Sequence, residues 1–526
     1  MKLKKSHLEA ISFIALYLLA LYIWTLPMHN DRMPFGDVDA SSHFMIGDYM
    51  VSTDKSVAKI PYYAFKRYGG QNEYFPEYIW YPPQYWTNTA IAQVLGGERI
   101  FPTLLFIAVL SSLIIVSSFF LIRNLFGFWP AFLSSFLLIF SARDYMIYLW
   151  GQWPQSLSFA FTPLALYSFY AYFKSYKEKK PKAIYLYILS IILSAQFLFH
   201  PQGLIVSVAT LIIYSLFIII KTKKIPFNIK HVLIAIVLFS AISALSAPLN
   251  IGEFFASITQ TGGGDKGLQL DKLFKWYQGI KGDGGLPDFY FTYNKTHGSF
   301  QEGLISWWTL PFLLIGLVFL FLRRNDKDLV LLSWFISFYI LTRLSVIGMG
   351  QKDMRMFAFE AHVFYPIITI GLLSLASIIK QKSFRQYLKY GLIALFLILA
   401  INVNGKSAYT TLNGMQNSIG RINPMQYEAA EWIKTSLPEK ADVYVFGTVG
   451  YQYFSGKIKW FGALSQRGFI TSNSNINSSN YIIVDYTDAI LLRNQDYINL
   501  IQNFEKKFEN STPIYNKNNI RVYKVA

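Results

Sequence analysis

The run IFPTLLFIAVLSSLIIVSSFFLIR, residues 100–123, carries no charge from Ile100 to Ile122 and then meets Arg123. A helix rises about 1.5 Å per residue, so this run is long enough to cross a hydrocarbon core of roughly 30 Å. Similar runs lie near 8–26, 126–142, 147–173, 183–199, 202–220, 231–249, 303–322, 328–346, 357–379 and 388–403. Together they predict an α-helical polytopic membrane protein of about eleven transmembrane helices. Composition agrees. The 526 residues are 53% hydrophobic, 18% aromatic and 15% charged, with a mean hydropathy of +0.31. Those values are too apolar for water-soluble domains and suit a chain largely dissolved in lipid.

The net charge of +18 raises the question of nucleic acid, and the placement of the charges answers it. With the N-terminus inside and the spans alternating, the inside loops hold Arg123, Lys174 to Lys182, Lys221 to Lys230, Arg323-Arg324 with Lys327, and Lys380 to Lys389. Every dense basic cluster then falls on one side, as the positive-inside bias requires. No nucleic-acid partner is expected. Met1-Lys2-Leu3-Lys4-Lys5 resembles the basic start of a signal peptide, but the apolar run Leu8–Leu26 exceeds a signal core and no small-residue cleavage site follows. It reads as a retained first helix. The absence of cysteine excludes disulfides, thiolate catalysis and cysteine metal sites.

Outside the cytoplasm this topology leaves 27–99, 250–302 and the tail, giving a transmembrane domain over 1–403 and an extracytoplasmic domain over 404–526. Loop 27–99 contains Tyr62, Tyr63, Trp80, Tyr81, Tyr85 and Trp86. Such rings favour the membrane–water boundary and predict an amphipathic interfacial helix. Loop 250–302, with Gly262-Gly263-Gly264 and Gly282 to Gly285, reads as mobile. In the tail, Met425 to Ser436 and Tyr497 to Phe508 have helical periodicity. Val443 to Phe446 and Tyr481 to Val484 read as buried strands, and Asn518-Asn519 as the turn of a closing hairpin. A small α/β domain is expected there.

The sharpest chemical cluster is Gly36-Asp37-Val38-Asp39-Ala40-Ser41-Ser42-His43, just beyond the first helix. Asp37 and Asp39 share one side of an extended segment; Asp39 and His43 share one face of a helix. Such carboxylates can deprotonate a hydroxyl, and they have the oxygen donors that Mg or Mn ions bind. The alternative is that they cap the next helix. On the same side lie Arg143 and Asp144, Gln152 and Gln155, His200, and Lys352, Asp353, Arg355 and Glu360. Singly, these read as local ion pairs, turn residues or interfacial cations. Jointly they suggest a polar face, with Arg355 suited to bidentate binding of a phosphate. No H-E-x-x-H, Walker A or G-x-S-x-G motif is present.

These residues resemble the GT-C superfamily of integral membrane glycosyltransferases, particularly its archaeal and bacterial members. The likeness rests on Asp37-Val38-Asp39 with His43, on Tyr81-Pro82-Pro83-Gln84-Tyr85, on Arg355 ahead of a helix through Pro366, and on tail segments around Glu428, Arg467 and Tyr481. It implies a GT-C-like fold and transfer of a sugar from a polyprenyl-phosphate-linked donor to an extracytoplasmic glycan, lipid or protein, usually with inversion. Carried onto this chain, Asp37 is the first candidate base and Asp39 the second, either helping to hold a divalent cation. Arg355, supported by Lys352, is the candidate phosphate ligand; His43, Arg143, Gln152 and His200 are candidate substrate contacts. The W-W-D-Y-G motif of oligosaccharyltransferases is missing, and the stretch from Arg143 to Gln155 offers only Asp144 as a second acidic group. Asparagine glycosylation is therefore not expected, and metal dependence is left open. Two other readings stay open, a transporter or lipid flippase and a non-catalytic membrane scaffold.

Overall fold

A computed structural model describes residues 4–36, 39–53, 63, 83–225, 227–246, 306–342, 358–417, 421–448, 456–470 and 479–525. Loop 250–302 lies outside them. The chain divides into two compact units. The first comprises Met1–Trp24, Val109–Ile147 and Pro154–Leu412; the second comprises Thr25–Ala108, Tyr148–Trp153 and Asn413–Ala526.

The first unit is helical. Among the described residues, Lys5–Trp24, Phe101–Phe126, Pro201–Thr222 and Lys382–Gly414 are long and apolar enough to cross a membrane. Phe128–Ile139 and Ala142–Leu149, bent by 43°, make a fifth if taken as one span. Ile184–Phe199, Ile229–Ala244, Leu310–Arg323 and Ala361–Ser377 are apolar but shorter. Helix is thus present at every predicted run, while the count of eleven crossings does not follow from helix length.

One predicted run is corrected. Residues 147–173 are not one helix but the end of Ala142–Leu149 followed by Trp153–Ala160 and Thr162–Lys177. Gly151 turns with φ +79°, and Pro163 brings no N–H to the ladder. The second break is stitched by neighbours. Gln196 Nε2 donates to the Ser158 carbonyl at 2.9 Å and to Thr162 Oγ1 at 3.0 Å, which satisfies groups that lipid would leave bare. At the 43° bend Trp24 Nε1 does the same for the Ile139 carbonyl at 3.1 Å.

Helix pairs in this unit meet through small and hydroxylated residues, as expected where apolar surface alone gives no preference for protein over lipid. Gly316 and Gly371 let Leu310–Arg323 and Ala361–Ser377 touch backbone to backbone; a Cβ on Gly371 would stand 2.0 Å from the Phe312 carbonyl oxygen. Ser190 donates to the Ala235 carbonyl at 2.6 Å, and Thr210 and Ser337 hydroxyls meet at 2.7 Å. At the basic loops, Lys177 and Lys221 both reach Asp326 at 2.8 Å. Lys327 lies 5.5 Å from the Phe126 ring centroid, and Arg123 pairs with Glu9 at 2.8 Å. Four of the predicted inside segments and the start of the chain therefore share one end of this unit.

In the second unit, five strands form a sheet of order β2-β1-β3-β5-β4. They are β1 Asp442–Phe446, β2 Gly468–Ile470, β3 Tyr481–Asp485, β4 Tyr515–Lys517 and β5 Ile520–Lys524. β1 runs parallel to β2 and β3, and β5 pairs antiparallel with β3 and β4. Alternation along β1 and β3 puts Tyr444, Ile482 and Val484 on one face, under Ile501 and Phe504 of helix Gln495–Glu505. Asp485 points to the other face, where Gln426 of helix Pro424–Ser436 donates to it at 2.6 Å. Asn518 and Asn519 both take positive φ, 55° and 62°, the geometry a two-residue type I′ hairpin demands. Helix Gly456–Ser465 and strand β2 carry no periodic signal in the sequence.

Glu505 ties this domain's edge. Its carboxylate accepts from Tyr486 and Tyr523 hydroxyls and from Arg521, each at 2.6 Å. Burial would raise the Glu505 pKa, but Arg521 and the two phenols outweigh it and hold the group below its ordinary 4.5. Burial and then Glu505 push Tyr523 up to about 12. A depressed carboxylate contributes stability above its unfolded pKa and loses it as pH falls through the folded one. A raised phenol contributes below its unfolded pKa and loses it as pH rises. The unfolding midpoint of the full chain should thus fall on the acid side of about pH 4.5 and again above about pH 10. Glu505→Gln should flatten the acid limb; an unchanged acid limb would contradict the assignment.

Candidate functional site

Within the second unit the acidic loop is held from three directions. Upstream, the buried Arg421 pairs with Asp31 at 2.7 Å, donates Nε to the Pro34 carbonyl at 3.1 Å and donates Nη2 to the Met33 carbonyl. Burial lowers the Arg421 pKa, with Asp31 opposing. At the loop, Trp460 Nε1 donates to the Gly36 carbonyl at 2.8 Å while its ring packs on Phe44 at 5.2 Å. Downstream, the Asp39 N–H donates to the Trp150 carbonyl at 3.0 Å. Gly36 and Gly151 both have positive φ, +103° and +79°. A Cβ on Gly151 would stand 2.0 Å from the Ala40 nitrogen, so only glycine lets these two backbones meet.

Asp39 is partly exposed and opens helix Ala40–Thr53; its carbonyl accepts the N–H groups of Ser42 at 3.0 Å and His43 at 3.1 Å. A carboxylate here faces the positive end of that helix. His43, one turn on, is buried, and Trp86 Nε1 donates to its Nδ1 at 3.0 Å. Indole can only donate, so Nδ1 carries the lone pair and the neutral ring's proton sits on Nε2. The Tyr85, Trp86 and Trp153 rings stand 6.0, 6.1 and 6.3 Å from the imidazole. Gln152 is buried in the same unit.

Asp37, Lys352 and Arg355 lie outside the described residues, whereas both flanks of Asp37 are described. Arg143 and His200 belong to the first unit. Arg143 is buried and donates Nη1 to Met146 Sδ at 3.5 Å. His200 caps helix Pro201–Thr222: its Nδ1 accepts the Gln202 N–H at 3.3 Å, and its carbonyl accepts the Ser158 hydroxyl at 2.7 Å. The geometry gives His200 a capping role.

Several partners escaped the sequence reading. His362 Nε2 meets Asp144 Oδ1 at 2.6 Å with both side chains buried. Arg99 forks onto Asp48 at 2.8 and 2.7 Å and reaches Glu431, while Gln466 donates to Asp48 at 2.7 Å. Burial would lower the Arg99 pKa, but Asp48 and Glu431 win and raise it. These pairs join residues from 51 to 418 positions apart, and no local spacing announces them. Among the described residues no group of three His, Asp or Glu is placed to hold a metal ion. Asp144 already has His362 as its partner.

The family model described as "Family of unknown function (DUF6541)" matches residues 6–359, and the chain belongs to that family. No curated protein matches the sequence. Two GT-C glycosyltransferases are similar in structure. The archaeal oligosaccharyltransferase AglB from Archaeoglobus fulgidus, in complex with an inhibitory peptide and a dolichol-phosphate, is 14% identical with a TM-score of 0.55, covering 95% of this chain and 68% of that one. ArnT from Cupriavidus metallidurans in the apo state is 11% identical with a TM-score of 0.54, covering 99% and 98%. ArnT bound to undecaprenyl phosphate is 10% identical with a TM-score of 0.51, covering 97% of each. At these identities the likeness is one of fold. The chain is a membrane protein with a GT-C-like fold, mostly helical with a small C-terminal sheet.

Two outcomes follow from the contacts. Gly151→Ala adds both a positive-φ strain of about 1–2 kcal/mol and the collision with Ala40. Gly97→Ala, at φ +71° with nothing within 4 Å, adds the strain alone. Thermal unfolding should therefore show the larger loss at Gly151; equal losses would deny the close contact. His362→Ala should cost about 1–3 kcal/mol by leaving the buried Asp144 carboxylate without this donor. Asp144→Asn, which keeps an acceptor for Nε2–H, should stay near wild type in the same assay.

Proposed function

We propose that this member of the DUF6541 family is a multi-pass membrane glycosyltransferase that moves a sugar from a polyprenyl-phosphate-linked donor to an acceptor outside the cytoplasm. The observation that carries the reading is the anchoring of the acidic loop at Gly36 and at Asp39, by Trp460 and by the Trp150 carbonyl. A helix cap needs only its own helix. A catalytic carboxylate needs to be held in one place before substrate arrives, and distant residues provide that hold. The GT-C-like fold agrees with it, and so does the chemistry of the lipids bound in the two neighbours, dolichol-phosphate and undecaprenyl phosphate, which are both polyprenyl phosphates.

In this reading an acceptor hydroxyl attacks the anomeric carbon of the donor and passes its proton to Asp37, with Asp39 the second choice of base. The new glycosidic bond forms as the bond to the phosphate oxygen breaks. Polyprenyl phosphate leaves with that electron pair, and the configuration inverts. Arg355, with Lys352, neutralises the leaving phosphate; His43, Arg143, Gln152 and His200 contribute to substrate binding. The N-terminus and the basic loops face the cytoplasm, the helices make about eleven crossings, and the tail lies outside. The acceptor is a glycan, lipid or protein of the cell envelope, without asparagine glycosylation.

Membranes supplied with labelled polyprenyl-phosphate sugars provide the test. Asp37→Asn and Arg355→Ala should each lower transfer by about a hundredfold or more while expression is kept. Full transfer by both variants would place the chemistry elsewhere. Uptake of label into vesicles with no covalent product would favour a transporter. Mass spectrometry of surface glycans in a deletion strain would identify the sugar.

A further inference from the structure

Helix Gln84–Gly96 has two apolar faces, and protein covers only one of them. Tyr85, Trp86, Thr89, Ala90 and Gln93 are buried within the second unit. Ile91, Val94 and Leu95, spaced i, i+3, i+4, form another face and are 50, 66 and 83% exposed. The helix's position in the fold says what covers them. Its last residue, Gly96, sits directly against Pro102 in the first turn of the membrane-spanning helix Phe101–Phe126; a Cβ on Gly96 would stand 2.1 Å from Pro102 Cγ.

The spanning helix has 26 residues, or about 39 Å at 1.5 Å each, more than a hydrocarbon core of roughly 30 Å. Its first turn therefore lies at the membrane–water boundary. The polar groups at that level fit the boundary. The Arg32 guanidinium lies 4.6 Å from the Phe101 ring centroid and 3.6 Å from Glu98. A helix tied to this turn carries its exposed aliphatic face at the depth of the lipid headgroups and upper acyl chains.

We propose that helix Gln84–Gly96 lies in the membrane interface with Ile91, Val94 and Leu95 inserted into lipid, so that the bilayer forms the outer wall behind Trp86 and His43. The contact is a positioning one. The face opposite the lipid carries Trp86, whose indole fixes the His43 imidazole, and the membrane presses on that helix from the other side. The inference rests on the membrane reading of the chain and not on the proposed sugar transfer.

The chain has no cysteine of its own, which makes site-specific labelling direct. Leu95→Cys and Val94→Cys, each carrying an environment-sensitive fluorophore, are compared in vesicles with Asn499→Cys, an exposed polar position on helix Gln495–Glu505. Labels at 94 and 95 should emit to the blue of the label at 499. They should be quenched by lipids bearing a nitroxide near the headgroup and resist iodide. Iodide quenching equal to that at 499 would mean water covers the face and would overturn the proposal. Resistance to both quenchers would mean protein covers it, a second copy or another chain, and would overturn the proposal equally.

Discussion

The hydrogen bond from the Trp460 indole to the Gly36 carbonyl is the constraint on which the second unit turns. It joins the acidic loop to the tail across 424 positions of sequence. Arg421 does the same for Asp31, Met33 and Pro34. Arg99, Asp48, Glu431 and Gln466 repeat the pattern one helix further on. A loop between two helices has little of its own to fix it. Here it is fixed by side chains from the far end of the chain, and by the close approach that Gly151 permits. The tail is thus a positioning element for Asp39 and His43 as well as a small folded domain.

The first unit is held by a different balance. Lipid is as apolar as a leucine side chain, so helix association there relies on close packing and on shared hydrogen bonds. Each such bond adds only about 0.6 kcal/mol on average. The Gly316–Gly371 contact, which brings two backbones together, supplies the close packing. At the second break of the segment between Ala142 and Lys177, Gln196 donates to the Ser158 carbonyl and to the Thr162 hydroxyl. Without Gln196 that carbonyl would lose a donor in a medium that supplies none.

Hydropathy made much of this legible. Apolar runs located the helices, and four of the five basic clusters meet at the shared end where Lys177 and Lys221 reach Asp326. In the tail, buried runs marked β1 and β3, and Asn518-Asn519 marked the hairpin. Short elements with no period, β2 and helix Gly456–Ser465, were not legible, because their places depend on tertiary contacts alone. Nor was the break at Gly151: hydropathy reads straight through a glycine whose φ only the Ala40 contact explains. For the site, Asp39 and His43 were visible as a local motif. Their supports were not, since Trp460, Arg421 and Trp86 act across distance. His200, proposed as a substrate contact, also caps the helix that follows it.

Hydrogen exchange at residues 39–44, compared between wild type and Trp460→Phe, tests the central claim most directly. Phenylalanine keeps an aromatic ring at the position and removes the indole donor together with some ring volume, leaving the Gly36 carbonyl without that donor. That loss corresponds to about 1–3 kcal/mol, so exchange at these amides should quicken about tenfold or more, while helices of the first unit keep their protection. Unchanged protection at 39–44 would show that the tail does not hold the acidic loop.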